Sequence, residues 1–425
     1  MILFFNNLQL VRLRNVDKAN YYYILINIGL SAFSFLRSFI FMRVLDMREL
    51  GIISLIQTIF MFIGLLQCGL LNGGYRIVSL GKKLELEKTT NSIFSYVYVL
   101  FPVGLAFCFM SSYFNWTPDL NIWLLLISVI FGVFTLLNNW MHNCLIGEQK
   151  LTELNFLNLL SYGIAIVSLP IAYVCGFWGA IIVLVSQPLI FVVFALSRNN
   201  ELLPTNFYLK RDYLAYILSF GFIPFLSGIF PSIYLQIERW SITSVLGVES
   251  LGCFYLVFLY VSLFNLIPSS INSIIFPKAV KAYSVFDYSG FKKLIGCYCI
   301  CLFVYSLVIV FLTYFLLEPI VSLIFPKHLI GVGFVFIIVP GLVFQLFSDP
   351  ITLILNSAVI LRPMLYVGVA TLTLSVALIF LLINMDFFSL QNVSIVRCLS
   401  GVMTLCSYIL VFFLIRNNIF KMKEV

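Results

Sequence analysis

Five charged side chains interrupt long apolar stretches of the chain: Arg37, Glu238, Arg239, Asp349 and Arg397. A charge at the centre of a membrane-inserted helix costs about 2.5–3.5 kcal/mol, so such residues persist where they bind something. Their chemistry is charge recognition rather than bond breaking. The two histidines, His142 and His328, have no Ser, Cys or carboxylate at a spacing that makes a nucleophile–base pair. Both read as solvated surface residues, His142 among Asn138, Asn139 and Asn143 and His328 beside Lys327. No Gly-rich phosphate loop is present, so nothing points to ATP. The ten cysteines include no Cys-x-x-Cys pair. Cys297, Cys299 and Cys301 are two apart and do not share one helix face. They read as buried free thiols, not metal ligands or disulfides. The sequence therefore predicts no catalytic residue, cofactor or metal centre, and a function other than that of an enzyme.

Each charge has a bland reading beside a functional one. Arg37 sits seven residues before the end of its apolar run, where it either snorkels to headgroups or faces an internal cavity. Glu238 occupies the position of Arg37 in an internal repeat described below, so the two are expected to pair across the halves. Glu238 and Arg239 otherwise read as interface residues. Asp349 precedes Pro350, which removes a helix hydrogen bond and breaks the run. A carboxylate at such a break suits ion or proton binding. Arg397 reads as a headgroup anchor. Further prolines (Pro102, Pro170, Pro188, Pro224, Pro231, Pro268 and Pro340) fall in or at the ends of apolar runs and predict kinks that expose backbone groups.

The elements that position these residues are twelve apolar stretches, each long enough to cross a bilayer. They are expected at Tyr21–Val44, Leu50–Leu71, Ile93–Ser111, Asn121–His142, Phe156–Val174, Phe177–Ser197, Ile217–Thr243, Leu251–Ile275, Leu294–Leu317, Gly331–Asn356, Pro363–Asn384 and Ser394–Ile415. Only Cys175-Gly176 separates the fifth from the sixth. The chain is 62% hydrophobic and 10% charged, against about 25% charged in soluble domains. Its solvent is largely lipid. The runs are apolar nearly all round, which favours spanning helices over strands. No cleavable signal is expected ahead of the first. The net charge of +8 sets orientation and does not predict a nucleic-acid partner. With the N-terminus inside, inner segments hold nineteen Lys and Arg and outer ends four, while Arg37 and Arg397 lie within spans. That bias predicts an even number of spans with both termini cytoplasmic.

Val44-Leu45 followed by Leu50-Gly51 recurs as Val245-Leu246 followed by Leu251-Gly252, an offset of 201. The offset also superposes two basic loops. Six spans is an even number, so both halves begin on one side and are related by an axis along the membrane normal. The expected architecture is all-α: an N-terminal six-helix half over 1–197, a cytoplasmic linker over 198–212 and a C-terminal half over 213–425. The inner ends offer a basic rim, with Arg76, Lys82 and Lys83 from one half and Lys278 and Lys281 from the other. Such a rim attracts anionic headgroups by about 1 kcal/mol per basic residue.

Two sequence runs carry a family resemblance. One is Val44-Leu45-Asp46-Met47-Arg48-Glu49-Leu50-Gly51, leading to Gly69-Leu70-Leu71-Asn72-Gly73-Gly74-Tyr75-Arg76. The other is Glu238-Arg239-Trp240 through Leu246-Gly247 to Leu251-Gly252-Cys253-Phe254, with Glu where the family usually has Asp. With the twelve spans and short outer loops, these resemble O-antigen flippases of the multidrug/oligosaccharidyl-lipid/polysaccharide exporter superfamily. The resemblance implies a carrier of the bacterial inner membrane in lipopolysaccharide biosynthesis and polysaccharide export. It would move undecaprenyl-diphosphate-linked oligosaccharide between leaflets by alternating access, with membrane lipids and the pathway's polymerase and chain-length proteins as partners. Coupling would be to an ion gradient or to the substrate gradient alone. Arg37, Arg76 and Lys278 would contact substrate, and Glu238, Arg239 and Asp349 would serve gating or ion coupling. The rivals are a multidrug or cation exporter of the same superfamily, which needs an anionic, aromatic cavity, and an O-antigen polymerase or ligase, which needs a large outer loop.

Overall fold

The computed structural model describes residues 18–79, 83–114, 119–358 and 360–421. The basic residues Arg12, Arg14, Lys82 and Lys423 lie outside the described residues. Fourteen α-helices are described: α1 (Lys18–Val44), α2 (Met47–Leu65), α3 (Leu70–Val78), α4 (Lys83–Tyr113), α5 (Ile122–Gly147), α6 (Leu151–Arg198), α7 (Arg211–Leu246), α8 (Val248–Cys253), α9 (Tyr255–Ser284), α10 (Tyr288–Ile324), α11 (Leu329–Leu346), α12 (Asp349–Ser357), α13 (Arg362–Asn384) and α14 (Leu390–Lys421). No strand occurs among the described residues.

The helices resolve into twelve spans. Nine runs among the described residues are long and apolar enough to cross a membrane, and the two arms of α7 together make a tenth. One of the nine, α6, is 48 residues long, about 72 Å if straight and far more than a bilayer needs. It reverses at Gly176 (φ 56°, ψ −128°). A side chain on Gly179 would overlap the Ile171 carbonyl, a contact only a chain folded back on itself makes. This is the Cys175-Gly176 turn expected from sequence. The 27-residue α1 completes the set.

Local chemistry sets the breaks. Asp46 and Glu49 form a capping box at the start of α2: the Asp46 side chain accepts from Glu49 N at 2.7 Å and Glu49 accepts from Asp46 N at 3.0 Å. The second span breaks before α3 at Gly69, whose φ is 95°. The arms of α7, Arg211–Leu226 and Gly228–Leu246, bend by 62° between Pro224 and Pro231, as proline-disrupted helices do. The tenth span breaks between α11 and α12, and Pro350 opens the new helix. Segment 199–210 is ordered against α4: Asn91 bonds Thr205 at 2.9 and 3.0 Å, and Tyr208 N donates to Ser95 Oγ at 2.8 Å. Beside it, the Lys150 ammonium bridges Glu148 and Glu201 at 3.0 Å each. Partial burial works against its charge, but the bonds to Glu201 and Glu148 outweigh that and raise its pKa.

Helices α1–α6 and α7–α14 form two halves that exchange equivalent contacts. A Cβ on Gly51 would overlap the Val248 carbonyl, and one on Gly252 would overlap the Met47 carbonyl. Both pairs obey the offset of 201 read from the sequence. Residue i meeting j while the mate of j meets the mate of i is the signature of a two-fold axis. The halves thus close on each other at the Gly51 end of the bundle. Two more contacts join them there: Phe39 packs on Phe325 with ring centroids 4.4 Å apart, and His328 Nε2 lies 3.2 Å from the Met42 carbonyl. At the opposite, Arg76 end, α3 packs on α7, with Gly73 against Ile217 and Gly221 against Gly69.

Candidate functional site

Three cavities run through the bundle, linked by shared wall residues. The first, about 420 Å³, lies between the halves and is lined by Arg37 and Ser38 of α1, Arg239 of α7, and Tyr255, Phe258 and Asn265 of the second half. Ser34 joins it to the second, about 520 Å³, within the N-terminal half. There α5 contributes Asn138, Asn139, His142 and Asn143. Asn72 and Asn143 continue into the third, about 480 Å³, which reaches Arg76, Phe220 and Pro224. Arg76 is exposed, so the series leads from the Arg76 surface to the Arg37–Arg239 chamber.

The electrostatics are one-sided. No Asp or Glu lines any of these three cavities. Arg37 has no carboxylate partner among the described residues, and it lines the chamber instead of reaching for headgroups. Arg239 is 8% exposed, and its guanidinium stacks 4.4 Å from the Phe258 ring centroid. Arg397 approaches the same ring at 5.5 Å. The carboxylate here belongs to Glu238, which is fully buried and pairs with Arg397 at 3.2 Å. Three guanidiniums against one carboxylate leave the region net positive.

Several sequence expectations are corrected. Glu238 pairs with Arg397 of its own half, not with Arg37, because its turn of α7 faces α14 while the adjacent Arg239 faces the chamber. Arg397 is accordingly no headgroup anchor: its side chain is 9% exposed. His142 is not solvated surface. Its Nε2 pairs with Asn158 Oδ1 at 2.8 Å and its ring stacks on Phe191 at 4.7 Å. His328 is 1% exposed. The cysteines are free but not uniformly buried, since Cys68, Cys175 and Cys406 are exposed.

Arg37 and Arg239 are brought together on one chamber, and Arg76 stands at the far end of the cavity series. Lys278, half-buried near the end of α9, is not among the residues lining these cavities. Asp349 stands at the first residue of α12, within electrostatic reach of Tyr298 and Tyr408 and away from the chamber. Sequence reasoning missed the Asn-rich wall, although its signal was present. Asn138, Asn139, His142 and Asn143 fall on one stripe of α5 in an otherwise apolar run.

No family model matches the chain, and neither does any curated protein. Solved structures do match. An outward-facing multidrug resistance MATE family transporter of the MOP superfamily aligns over 97% of each chain with TM-score 0.63 at 17% identity. A MOP superfamily transporter from Pyrococcus furiosus, noted for the reverse polarity of its binding pocket, aligns over 96% of this chain and 95% of its own with TM-score 0.61 at 17% identity. The lipid II flippase MurJ, in an inward closed conformation, aligns over 93% of this chain and 87% of its own with TM-score 0.70 at 12% identity. At these identities the likeness is one of fold: the chain is a multi-pass membrane protein with the two-half helical architecture of MATE transporters and of MurJ.

Proposed function

We propose that the protein flips undecaprenyl-diphosphate-linked O-antigen or related polysaccharide repeat units from the cytoplasmic to the periplasmic leaflet of the bacterial inner membrane. The carrying observation is the cavity wall: Arg37 and Arg239 line a chamber between the halves, and no carboxylate lines it or the two cavities joined to it. A diphosphate needs cationic donors in a region of low dielectric, and guanidinium is the side chain best matched to it. In this reading the Arg76 end faces the cytoplasm, and Lys278 belongs to the same rim. Arg76 meets the headgroup first, Arg37 and Arg239 hold the diphosphate, and the prenyl chain stays in lipid. The contacts at the Gly51 end open when the halves rock. Glu238, locked to Arg397, keeps Arg239 turned into the chamber, and Asp349 is the residue left for ion coupling.

The second reading is a multidrug exporter, which the fold of the MATE transporters favours equally. It requires negative charge where an amphipathic cation would sit, and the wall supplies positive charge. A deletion strain separates the two. Accumulation of lipid-linked repeat units on the inner leaflet, with unchanged susceptibility to cationic drugs, supports the flippase. Increased drug susceptibility with normal surface polysaccharide overturns it.

A further inference from the structure

We propose that the Asn-rich cavity of the N-terminal half is a separate glycan subsite, built for an uncharged, hydroxyl-rich sugar next to the phosphate. The inference rests on the anionic-lipid reading above and deepens it. Nine of the twelve residues lining this cavity carry hydrogen-bonding side chains, and none carries a formal charge apart from the titratable His142. Four of the nine come from one stripe of α5, which faces Asn72 of α3 and Gln187 of α6 across the cavity. Carboxamides offer two donors and an acceptor without a charge, which matches sugar hydroxyls that both donate and accept.

Two details of the wall support a ligand-binding role. Asn138 is 9% exposed, and its Oδ1 is buried with no hydrogen-bond partner. A buried acceptor left open is costly unless a water or a ligand supplies the donor. His142 is fixed in place by Asn158 and Phe191. With Nε2 engaged by Asn158, its other ring nitrogen is free for a hydroxyl. At about 520 Å³ the cavity lies within the ~300–1,000 Å³ of ligand pockets. Its position agrees with the chemistry of a glycosyl diphosphate. Ser34 is common to this cavity and the arginine chamber, so a phosphate held by Arg37 and Arg239 directs its attached sugar into the carboxamides. An amphipathic cation finds no counter-charge here, and a uronic acid finds no guanidinium.

The test is equilibrium binding to the full-length protein in lipid nanodiscs. The probes are farnesyl diphosphate and its glucosyl, galactosyl, N-acetylglucosaminyl and glucuronyl derivatives. At least one neutral sugar is expected to tighten binding tenfold or more over the bare diphosphate, with the glucuronyl probe no tighter than bare. In Asn138→Leu and Asn143→Leu the ratio of glycosylated to bare affinity should fall to near one. Arg37→Gln should weaken both probes and leave that ratio standing. Equal binding of all probes by the wild type, or tightest binding by the glucuronyl probe, overturns the subsite and spares the anionic-lipid reading. Binding of tetraphenylphosphonium with no binding of any diphosphate overturns both.

Discussion

At the scale of single residues, neighbours in sequence have opposite consequences. Arg37 and Arg239 face a chamber and Glu238 does not. Arg37→Gln should cut surface polysaccharide several-fold while the protein still inserts at normal levels, measured by quantifying both in one strain. Unchanged polysaccharide would remove Arg37 from the path. Arg397→Leu leaves the fully buried Glu238 carboxylate unpaired, a loss of about 3–5 kcal/mol for a buried pair broken on one side. Thermal unfolding of the purified protein should show that loss, and the double variant Glu238→Gln/Arg397→Leu should recover most of it. A double variant no more stable than the single would mean the pair is not the interaction that matters. The charged residues were legible in the sequence because apolar flanks make them conspicuous. Their partners were not, because which of two adjacent residues faces a cavity depends on helix rotation within the bundle. Hydropathy does not encode that rotation when a helix is apolar all round. For the same reason Arg397 read as an anchor and the Asn138–Asn143 stripe as a solvated end.

At the scale of elements, the sequence was informative where backbone chemistry is local. Gly176 and Asp349-Pro350 each mark a break that the structure contains, whereas the Asp46–Glu49 capping box that starts α2 was not read from the sequence. The box also gives the acidic residues of that motif a capping role, worth about 1 kcal/mol for the Asp46 side chain. The offset of 201 returned as reciprocal contacts of Gly51 and Gly252. At both positions a side chain meets backbone of the other half, and backbone cannot rotate away. Gly51→Leu should therefore force the Gly51 end apart. In a background with the three exposed cysteines replaced, a Ser38→Cys reporter in the chamber should then label faster with an impermeant thiol reagent added from outside. Labelling equal to that of the Gly51 background would show that this contact is not the seal. Pro224 and Pro231 predicted a kink in α7 and the arms do bend there; what the sequence left hidden is the size of the bend, 62°, and the seating of α3 on the first arm, a tertiary contact.

At the scale of the whole molecule, twelve spans in two halves were readable from composition, run length and the distribution of Lys and Arg, since the bilayer imposes one solution on such a chain. Substrate was less readable, because one fold serves carriers of different cargo. The charge balance of the cavity wall is what supports the lipid-diphosphate proposal. Reporter fusions should place both termini on the cytoplasmic face; opposite faces would break the paired-halves model. The central claim is that a net-positive chamber carries a lipid diphosphate across the membrane. Its direct test uses proteoliposomes holding the purified protein and a fluorescent prenyl-diphosphate saccharide in both leaflets, with an impermeant quencher outside. Wild type should let the quencher reach nearly all of the fluorophore, and Arg37→Gln/Arg239→Gln should leave the inner-leaflet share protected. Protection in the wild-type vesicles, together with transport of tetraphenylphosphonium by the same preparation, would contradict the claim.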